Sequence, residues 1–299
     1  TGPTTGEIVW RWHLWDHIIQ DVSPSIPNYG VIAQHPEKID INKGTIPNNG
    51  DWIHINALDY SPALDQIVFS SNSLDEIFII NHATTTEEAA GEAGDFMYRW
   101  GNPSNYERKG SHVLWNVHGV NWIDQGLQGA GNLLLFNNGN DDNSSDLIEF
   151  IPPIQADGTY EIVGNQPFAP IPGDYVFFYE SNDFHGDHLG GVYRLPNGNT
   201  IATNGPGQEI RELDAQGQIV WQHFLPFTVM RAAKYPFDIL DPPTSCVGDA
   251  NDDGTVNVND LLLVIGNWGS SDTAADVNND GIVNVSDILV MIDAWGICP

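Results

Sequence analysis

Short runs of β-branched and aromatic residues, separated by Gly, Asn, Asp and Pro, fill residues 1–245 of this 299-residue chain. Runs of this kind between turn-forming residues are typical of β-strands. The spacing of apolar residues that marks an amphipathic helix is almost absent from the same part of the chain. The pattern therefore predicts a mainly β domain over residues 1–245.

The runs repeat imperfectly, and each repeat begins at a histidine. The first apolar residue of a strand-like run stands 13 to 15 residues after each of His54, His118 and His188, and an aromatic run closes each repeat. The apolar runs are residues 66–72, 132–138 and 199–204, and the aromatic runs are residues 96–100, 175–179 and 219–224. Residues 7–12 form one further closing run at the start of the chain. This order predicts a partial β-propeller of about three to four blades. Since a closed propeller has at least about four blades, we expect further blades from an upstream segment or another chain.

The last part of the chain, residues 246–299, has a different pattern. Two twelve-residue stretches, 249–260 and 276–287, carry oxygen-bearing side chains at positions 1, 3, 5, 9 and 12 and Gly at position 6. This is the spacing of an EF-hand loop, in which position 7 contributes a backbone carbonyl. The predicted Ca²⁺ ligands are Asp249, Asn251, Asp253, Thr255, Asn257 and Asp260, and Asp276, Asn278, Asp280, Ile282, Asn284 and Asp287.

Each loop runs into a segment with helical apolar spacing, residues 261–268 and 288–295. Position 12 is Asp, where EF-hands usually carry Glu. Paired loops of this kind, each followed by one helix, resemble the type I dockerin repeat. The resemblance implies a small α-helical module over residues 246–299 with two Ca²⁺ sites and a cohesin or cell-surface partner. The recognition positions, Val258-Asn259 and Val285-Ser286, match no known cohesin specificity, so the partner stays open.

The net charge and the two cysteines limit the partners and the location that we expect for the protein. A formal net charge of −30 repels nucleic acid and anionic membranes, and we expect neither as a partner. No apolar run is long enough to insert in a membrane. Cys246 and Cys298 bracket the acidic module. They are either two unrelated thiols or a disulfide joining its ends, and the disulfide implies an oxidising, secreted or extracellular location.

The three repeat histidines share one register. In a propeller that register lies on the first strand of each blade, so we expect His54, His118 and His188 to approach one axial site. A histidine cluster without carboxylate or cysteine companions is typical of metal ligation, of phosphoryl or sulfuryl transfer, or of acid–base chemistry.

The residues around these histidines resemble the bacterial arylsulfate sulfotransferase family. The matching stretches are 10–16, 51–60, 65–71, 129–139, 194–200 and 231–236, together with His118. The resemblance covers nearly all of residues 6–240. It implies a propeller of six blades that moves a sulfuryl group from a phenolic sulfate to an acceptor phenol. No nucleotide cofactor takes part.

By that resemblance His118 is the nucleophile and forms a sulfohistidine, and His54 and Asn56 stabilise the developing negative charge. Asn72 stands where the family often has an arginine that binds sulfate, so the resemblance implies weaker sulfate binding here. His188 and Arg194 are further candidates for contacts to the substrate. A catalytic histidine expected from an upstream blade has no counterpart in this sequence.

Two other functions fit parts of the sequence. The first is a non-catalytic secreted propeller that binds a glycan or a protein and is anchored by the calcium-binding module, an alternative that Asn72 favours. The second is a polysaccharide-degrading enzyme, which the dockerin resemblance suggests. No paired carboxylates support this second alternative.

Overall fold

The computed structural model describes residues 6–44, 50–139, 144–235 and 246–297. The chain divides into two compact units, residues 1–234 and residues 235–299. The predicted domain boundary between residues 245 and 246 stays a prediction, because residues 236–245 lie outside the described part. The helices of the described residues include none that could cross a membrane.

Three four-stranded antiparallel sheets make up most of the first unit, and each is a meander of consecutive strands. The first sheet contains β3 (Ile55–Ser61), β4 (Gln66–Ser71), β5 (Glu76–Asn81) and β6 (Tyr98–Trp100). The second contains β7 (His118–Trp122), β8 (Leu133–Asn137), β9 (Ser145–Phe150) and β10 (Phe177–Ser181). The third contains β11 (Gly191–Arg194), β12 (Thr200–Asn204), β13 (Glu209–Leu213) and β14 (Ile219–Phe224). The predicted mainly β fold is therefore confirmed.

Short elements connect and precede these sheets. Strands β1 (Ile18–Ile19) and β2 (Ile39–Asp40) pair in parallel, and helix α1 (Thr86–Ala89) is a single turn. The 3-10 helices are Leu14–His17, Ile32–Gln34, Glu92–Gly94, Pro103–Tyr106 and Asn182–Phe184.

The second sheet lies between the other two, and its side chains form two separate cores. Leu133 and Leu135 belong to a cluster that includes Val68 and Ile77 of the first sheet. The intervening residues, Leu134 and Phe136, belong instead to a cluster with Val192 and other residues of the third sheet. Because both faces of β8 are covered, all five of its residues are buried. This explains why the sequence shows an uninterrupted apolar run instead of polar–apolar alternation.

Residues 7–12 do not form the predicted closing strand. Their tryptophans pack on the first sheet instead. Trp12 donates a 2.8 Å hydrogen bond to the Gly94 carbonyl, and its ring lies 6.1 Å from that of Phe69. The ring of Trp10 lies 4.7 Å from that of His82. These contacts hold the segment by its side chains, and the described residues contain no strand that pairs with it.

The second unit contains two short helices and a two-stranded ribbon. The ribbon is β15 (Thr255–Val256) paired with β16 (Gly296–Ile297), and the helices are α2 (Val258–Gly266) and α3 (Val285–Asp293). Each helix begins with a capping box, in which the side chain of Asn257 or Asn284 and a carboxylate three residues later bond reciprocally. Val256, Val264, Ala275, Val283 and Met291 form the buried core of this unit.

Candidate functional site

The first strands of the three sheets lie side by side. β3 packs against β7, and β7 packs against β11. β7 and the start of β11 come close at Gly119, whose φ is +60° and where an added Cβ would come within 2.9 Å of the Cα of Gly191. Such a separation and such a φ both require glycine at this position. The neighbouring strands can therefore approach directly after His118.

Irregularities in β3 and β7 lie at the candidate catalytic residues. The pairing of β3 with β4 shifts register between Ile55 and Ala57, and that of β7 with β8 shifts between His118 and Asn121. Register shifts of this kind re-aim side chains and are common beside active sites. In this protein they lie at Asn56 and His118, two of the predicted catalytic residues.

A cavity of about 300 Å³ opens at this place. The residues that line it are His54, Ile55, Asn56, His118, Gly119, Leu189, Gly190, Met230 and Arg231. The three predicted catalytic residues, His118, His54 and Asn56, therefore face one space. A larger cavity of about 390 Å³ lies elsewhere in the first unit, and its lining includes three aromatic residues and four prolines but no histidine.

His118 is only 6% exposed and all its ring nitrogens are hydrogen-bonded. Its Nδ1 lies 2.7 Å from the Asn116 carbonyl oxygen and 2.7 Å from Oδ1 of Asn138. Its Nε2 accepts a 3.2 Å hydrogen bond from the backbone N–H of Leu189. Since a carbonyl can only accept, the proton is on Nδ1 and the lone pair is on Nε2.

The surroundings of His118 keep its ring neutral. Burial lowers the pKa of His118, and its hydrogen bonds to Asn138 and Asn116 only partly oppose that effect. Positive charge on His54 or His188 lowers the pKa further. A neutral imidazole with a lone pair on Nε2 is a competent nucleophile near pH 7.

His54 and Asn56 are held in different ways. His54 has a φ of +45°, and its Nδ1 is paired with a carboxylate oxygen of Asp51. Positive φ is costly for a residue with a side chain and often marks a functional site. Asn56 donates from Nδ2 to the Val117 carbonyl at 2.8 Å and accepts from Ser70 Oγ at 2.5 Å. Asn56 therefore has a fixed orientation at the cavity.

The three predicted substrate-binding residues do not line the cavity. Asn72 follows β4 and donates its backbone N–H to the His54 carbonyl at 3.1 Å. The side chain of His188 is 60% exposed and is paired with Asp187. Arg194 is buried, with its guanidinium bonded to the carboxylate of Glu149 and, at 2.9 Å, to the Gly198 carbonyl. The structure thus gives Arg194 a role in joining the second and third sheets.

Arg231 is the arginine that the cavity lining contains. It follows β14, is exposed, and donates to the Tyr193 hydroxyl at 3.4 Å. Sequence reasoning placed Arg231 in a family-like stretch but had no means to bring it next to His118. Asn138 also lies in a family-like stretch, but neither it nor Leu189 is predicted as a site residue, because their roles depend on a buried amide and on the direction of a backbone N–H. The regular spacing of the three histidines in the sequence gives no information about either feature.

The first acidic loop of the second unit gathers its carboxylates. Oxygen atoms of Asp249, Asp253 and Asp260 all lie within 4.8 Å of one another, which is compatible with a bound cation. Gly254 has a φ of +84°, as the sharp turn at position 6 requires. Asp260 also accepts from the backbone N–H groups of Asn251 and Asn257, so it closes the loop onto α2.

The second loop repeats this hydrogen-bond pattern. Asp287 accepts from the N–H groups of Asn278 and Asn284, and Asp276 accepts from those of Asp280 and Gly281. Its carboxylates are not among the described groups that come together as closely as in the first loop. The predicted pairing of Cys246 with Cys298 involves a residue outside the described part of the chain.

Family models match both units. The arylsulfotransferase model matches residues 2–149, and the dockerin type I model matches residues 247–294. No curated protein matches the chain.

Several solved structures match over part of the chain. A protein of unknown function from Bacteroides caccae is 14% identical, with 60% of this chain and 49% of that chain covered and a TM-score of 0.37. Virginiamycin B lyase from Staphylococcus aureus is 13% identical, with 59% and 43% covered and a TM-score of 0.32. BamB from Moraxella catarrhalis is 11% identical, with 60% and 38% covered and a TM-score of 0.30. The chain thus spans about half of these structures or less.

Proposed function

Residues 2–149 belong to the arylsulfotransferase family and residues 247–294 are a dockerin type I domain, and on this premise we propose that the chain transfers sulfuryl groups between phenols. The donor is a phenolic sulfate, the acceptor is a phenol, and His118 carries the group between them. The observation that supports this proposal is one cavity that combines the Nε2 lone pair of a neutral His118 with His54, Asn56 and Arg231.

In the first step, Nε2 of His118 attacks the sulfur of the donor. The N–S bond forms as the bond from sulfur to the aryl oxygen breaks, and the phenolate leaves with the electron pair. The ring becomes positively charged, so the hydrogen bond from Nδ1 to Asn138 Oδ1 is strengthened. In the second step the oxygen of the acceptor phenol attacks sulfur, its proton passes to water, and the electron pair of the N–S bond returns to Nε2.

The remaining cavity residues would stabilise negative charge. Arg231 supplies a positive charge for the sulfuryl oxygens, in a protein whose net charge of −30 otherwise repels an anionic donor. His54 and Asn56 would donate to the sulfuryl oxygens or to the departing phenolate. Because Asn56 is held by Val117 and Ser70, it needs little reorganisation to do so.

The three sheets are proposed as consecutive blades of a propeller, with β3, β7 and β11 at the axis. The side-by-side packing of these first strands supports this arrangement. It would place the cavity on the axial side of the sheets, where the strand starts converge. The six-blade total implied by the resemblance is part of this proposal.

The second unit is proposed to bind two Ca²⁺ ions and to dock onto a cohesin or a cell-surface protein outside the cell. Apolar side chains at matching positions remain exposed on both helices and just beyond them, which supports a docking role. They are Val258, Leu262, Ile265 and Trp268, and Val285, Leu289, Ile292 and Trp295. A disulfide between Cys246 and Cys298 would join the ends of this unit.

The activity is tested by incubating the protein with 4-nitrophenyl sulfate and phenol and following nitrophenol release. We expect release from the unaltered protein and from His223→Ala, whose histidine is exposed on β14. We expect His118→Ala to lose at least about 10³-fold in rate, because it removes the nucleophile. Equal release by His118→Ala and the unaltered protein would exclude the proposed function and favour a non-catalytic binding protein.

A further inference from the structure

Asn138 connects the candidate nucleophile to the segment that precedes β11. Its side chain is fully buried just beyond the end of β8. Its Oδ1 lies 2.7 Å from Nδ1 of His118, and its Nδ2 donates to the carbonyls of Gly186 at 2.6 Å and Leu189 at 2.7 Å. Every hydrogen-bonding group of this amide therefore has a partner.

The partners of Asn138 fix which way its amide points. The Gly186 and Leu189 carbonyls can only accept hydrogen bonds, so the NH₂ group must face them and Oδ1 must face His118. An oxygen at that place requires a proton on Nδ1 of His118. A neutral imidazole has only one N–H, so the lone pair must be on Nε2. The Leu189 N–H that points at Nε2 fits this tautomer independently.

The same amide sets the position of the Leu189 N–H. Leu189 has a φ of +59°, and Gly190, at a φ of +124°, packs so closely on Phe136 that an added Cβ would lie 2.9 Å from its ring. The bond from Asn138 to the Leu189 carbonyl holds this strained turn against the second sheet. The lone pair that accepts the Leu189 N–H is also the one that would attack sulfur. Attack therefore requires that Nε2 give up its hydrogen bond from the Leu189 N–H. A sulfuryl oxygen of the bound donor could then accept that hydrogen bond.

We infer that Asn138 is a positioning residue that, together with the Asn116 carbonyl, fixes the tautomer of His118 and that holds the Leu189 N–H where it can pass from Nε2 to a sulfuryl oxygen. This inference rests on the proposed function for its sulfuryl step alone. The tautomer and its dependence on Asn138 concern the protein without substrate, and they can be measured whether or not the protein transfers sulfuryl groups.

The first test is an NMR titration of the His118 ring in the full chain, with ¹⁵N shifts reporting the tautomer. We expect a protonated Nδ1 and an unprotonated Nε2 at neutral pH. Asn138→Asp puts a carboxylate at Nδ1 and should raise the pKa of His118. Asn138→Ala removes a hydrogen bond that favours the charged ring and should lower the pKa of His118. The two variants thus move the titration in opposite directions, and either one suffices if the other does not fold.

Asn137→Asp is the matched control. Asn137 is equally buried, adjacent in sequence and hydrogen-bonded to Trp115, Val113 and Asp146, but it makes no described contact with His118. We expect Asn137→Asp to leave the His118 titration unchanged. The inference would be overturned if neither Asn138→Asp nor Asn138→Ala changed the pKa of His118. It would also be overturned if the NMR shifts placed the proton on Nε2.

Kinetics with 4-nitrophenyl sulfate provide the second readout. Because Asn138 does not line the cavity, Asn138→Ala should lower kcat on the order of 10²-fold through misplacement of the nucleophile and leave KM nearly unchanged. A rise in KM with kcat unchanged would contradict a positioning role. If the NMR results are as expected but no variant, nor the unaltered protein, transfers sulfuryl groups, the proposed function fails and the role of Asn138 in setting the tautomer stands.

Discussion

The acidic loops of the second unit and the histidine cavity of the first differ in how their residues come together. Each loop draws its predicted ligands from twelve consecutive residues, such as Asp249 to Asp260. The cavity collects residues 54–56, 118–119, 189–190 and 230–231 from separate parts of the chain. A local site can be recognised from spacing alone, whereas an assembled site depends on strand pairing and on sheet packing.

The same difference governs what each site should need in order to form. The loops bring several of their own carboxylates close together, and a bound cation would relieve the repulsion between these negative charges. The cavity is built on apolar clusters between sheets, and its polar side chains already have hydrogen-bond partners elsewhere in the first unit. We therefore expect calcium to govern the stability of the second unit and to have little effect on the first.

Calcium removal should give the largest effect. At a free calcium concentration about a thousand times the Kd, each site stabilises its unit by about 4 kcal/mol. A chelator should therefore lower the Tm of one calorimetric transition and leave the transition of the first unit in place. The calcium stoichiometry measured by titration calorimetry should fall from two to one in either Asp260→Ala or Asp287→Ala.

Asp293→Ala is the control for this experiment, since Asp293 ends α3 and lies outside both loops. It should keep two calcium ions and the full Tm shift. A chelator that moves both transitions equally, or neither, would contradict the contrast between the two units.

Arg231→Gln should give the largest effect on substrate binding. A hydrogen bond to a charged group contributes about 1.5–3 kcal/mol, so KM for 4-nitrophenyl sulfate should rise roughly 10- to 100-fold. Arg11→Gln, at an exposed arginine outside the cavity, should leave KM unchanged.

Arg194→Gln should instead lower the stability of the protein and leave substrate binding nearly unchanged. It breaks a buried ion pair with Glu149 and should cost about 3–5 kcal/mol of folding free energy, with KM little changed in the protein that remains folded. If Arg194→Gln raised KM while Arg231→Gln did not, the sulfuryl group would have to be bound elsewhere than in the cavity described above.

The smallest effect concerns pH. Burial holds the pKa of His118 below its ordinary value of 6.5, so the ring stays neutral in the folded protein where the unfolded chain already binds a proton. The contribution of His118 to stability is thus complete above about pH 6.5 and is lost as the pH falls below it. The acid limb of kcat/KM should accordingly lie below pH 6.5. An acid limb above that value would mean that His118 is not the group that must be neutral.

Much of the fold can be predicted from the sequence, because the strands are marked by short stretches of neighbouring residues. The runs predicted after each histidine are β4, β8 and β12, and nearly all residues of these strands are buried. Residues 7–12 are similar in composition to the aromatic run that forms β14, but they are not a strand, and Trp10 and Trp12 pack on the first sheet instead. Composition alone cannot distinguish these two uses of aromatic residues.

The cavity was only partly predictable for a related reason. The histidine register brought His54 and His118 to one space, but it also suggested His188, whose side chain is exposed beside Asp187. Arg194 carried a family-like stretch, yet its charge is used by Glu149 in a buried ion pair. Arg231 reaches the cavity because the chain turns back after β14, a path that no local pattern encodes.

The proposed mechanism requires a covalent bond between Nε2 of His118 and the sulfur of the transferred group, and this sulfohistidine can be trapped. The protein would be mixed with 4-nitrophenyl sulfate in the absence of an acceptor, quenched at alkaline pH and analysed by peptide mass spectrometry. We expect one added SO₃ group on the peptide that carries His118. This group should be lost when phenol is supplied before the quench and should be absent from His118→Ala. Nitrophenol release without any such adduct, or an adduct on another residue, would contradict the proposed mechanism.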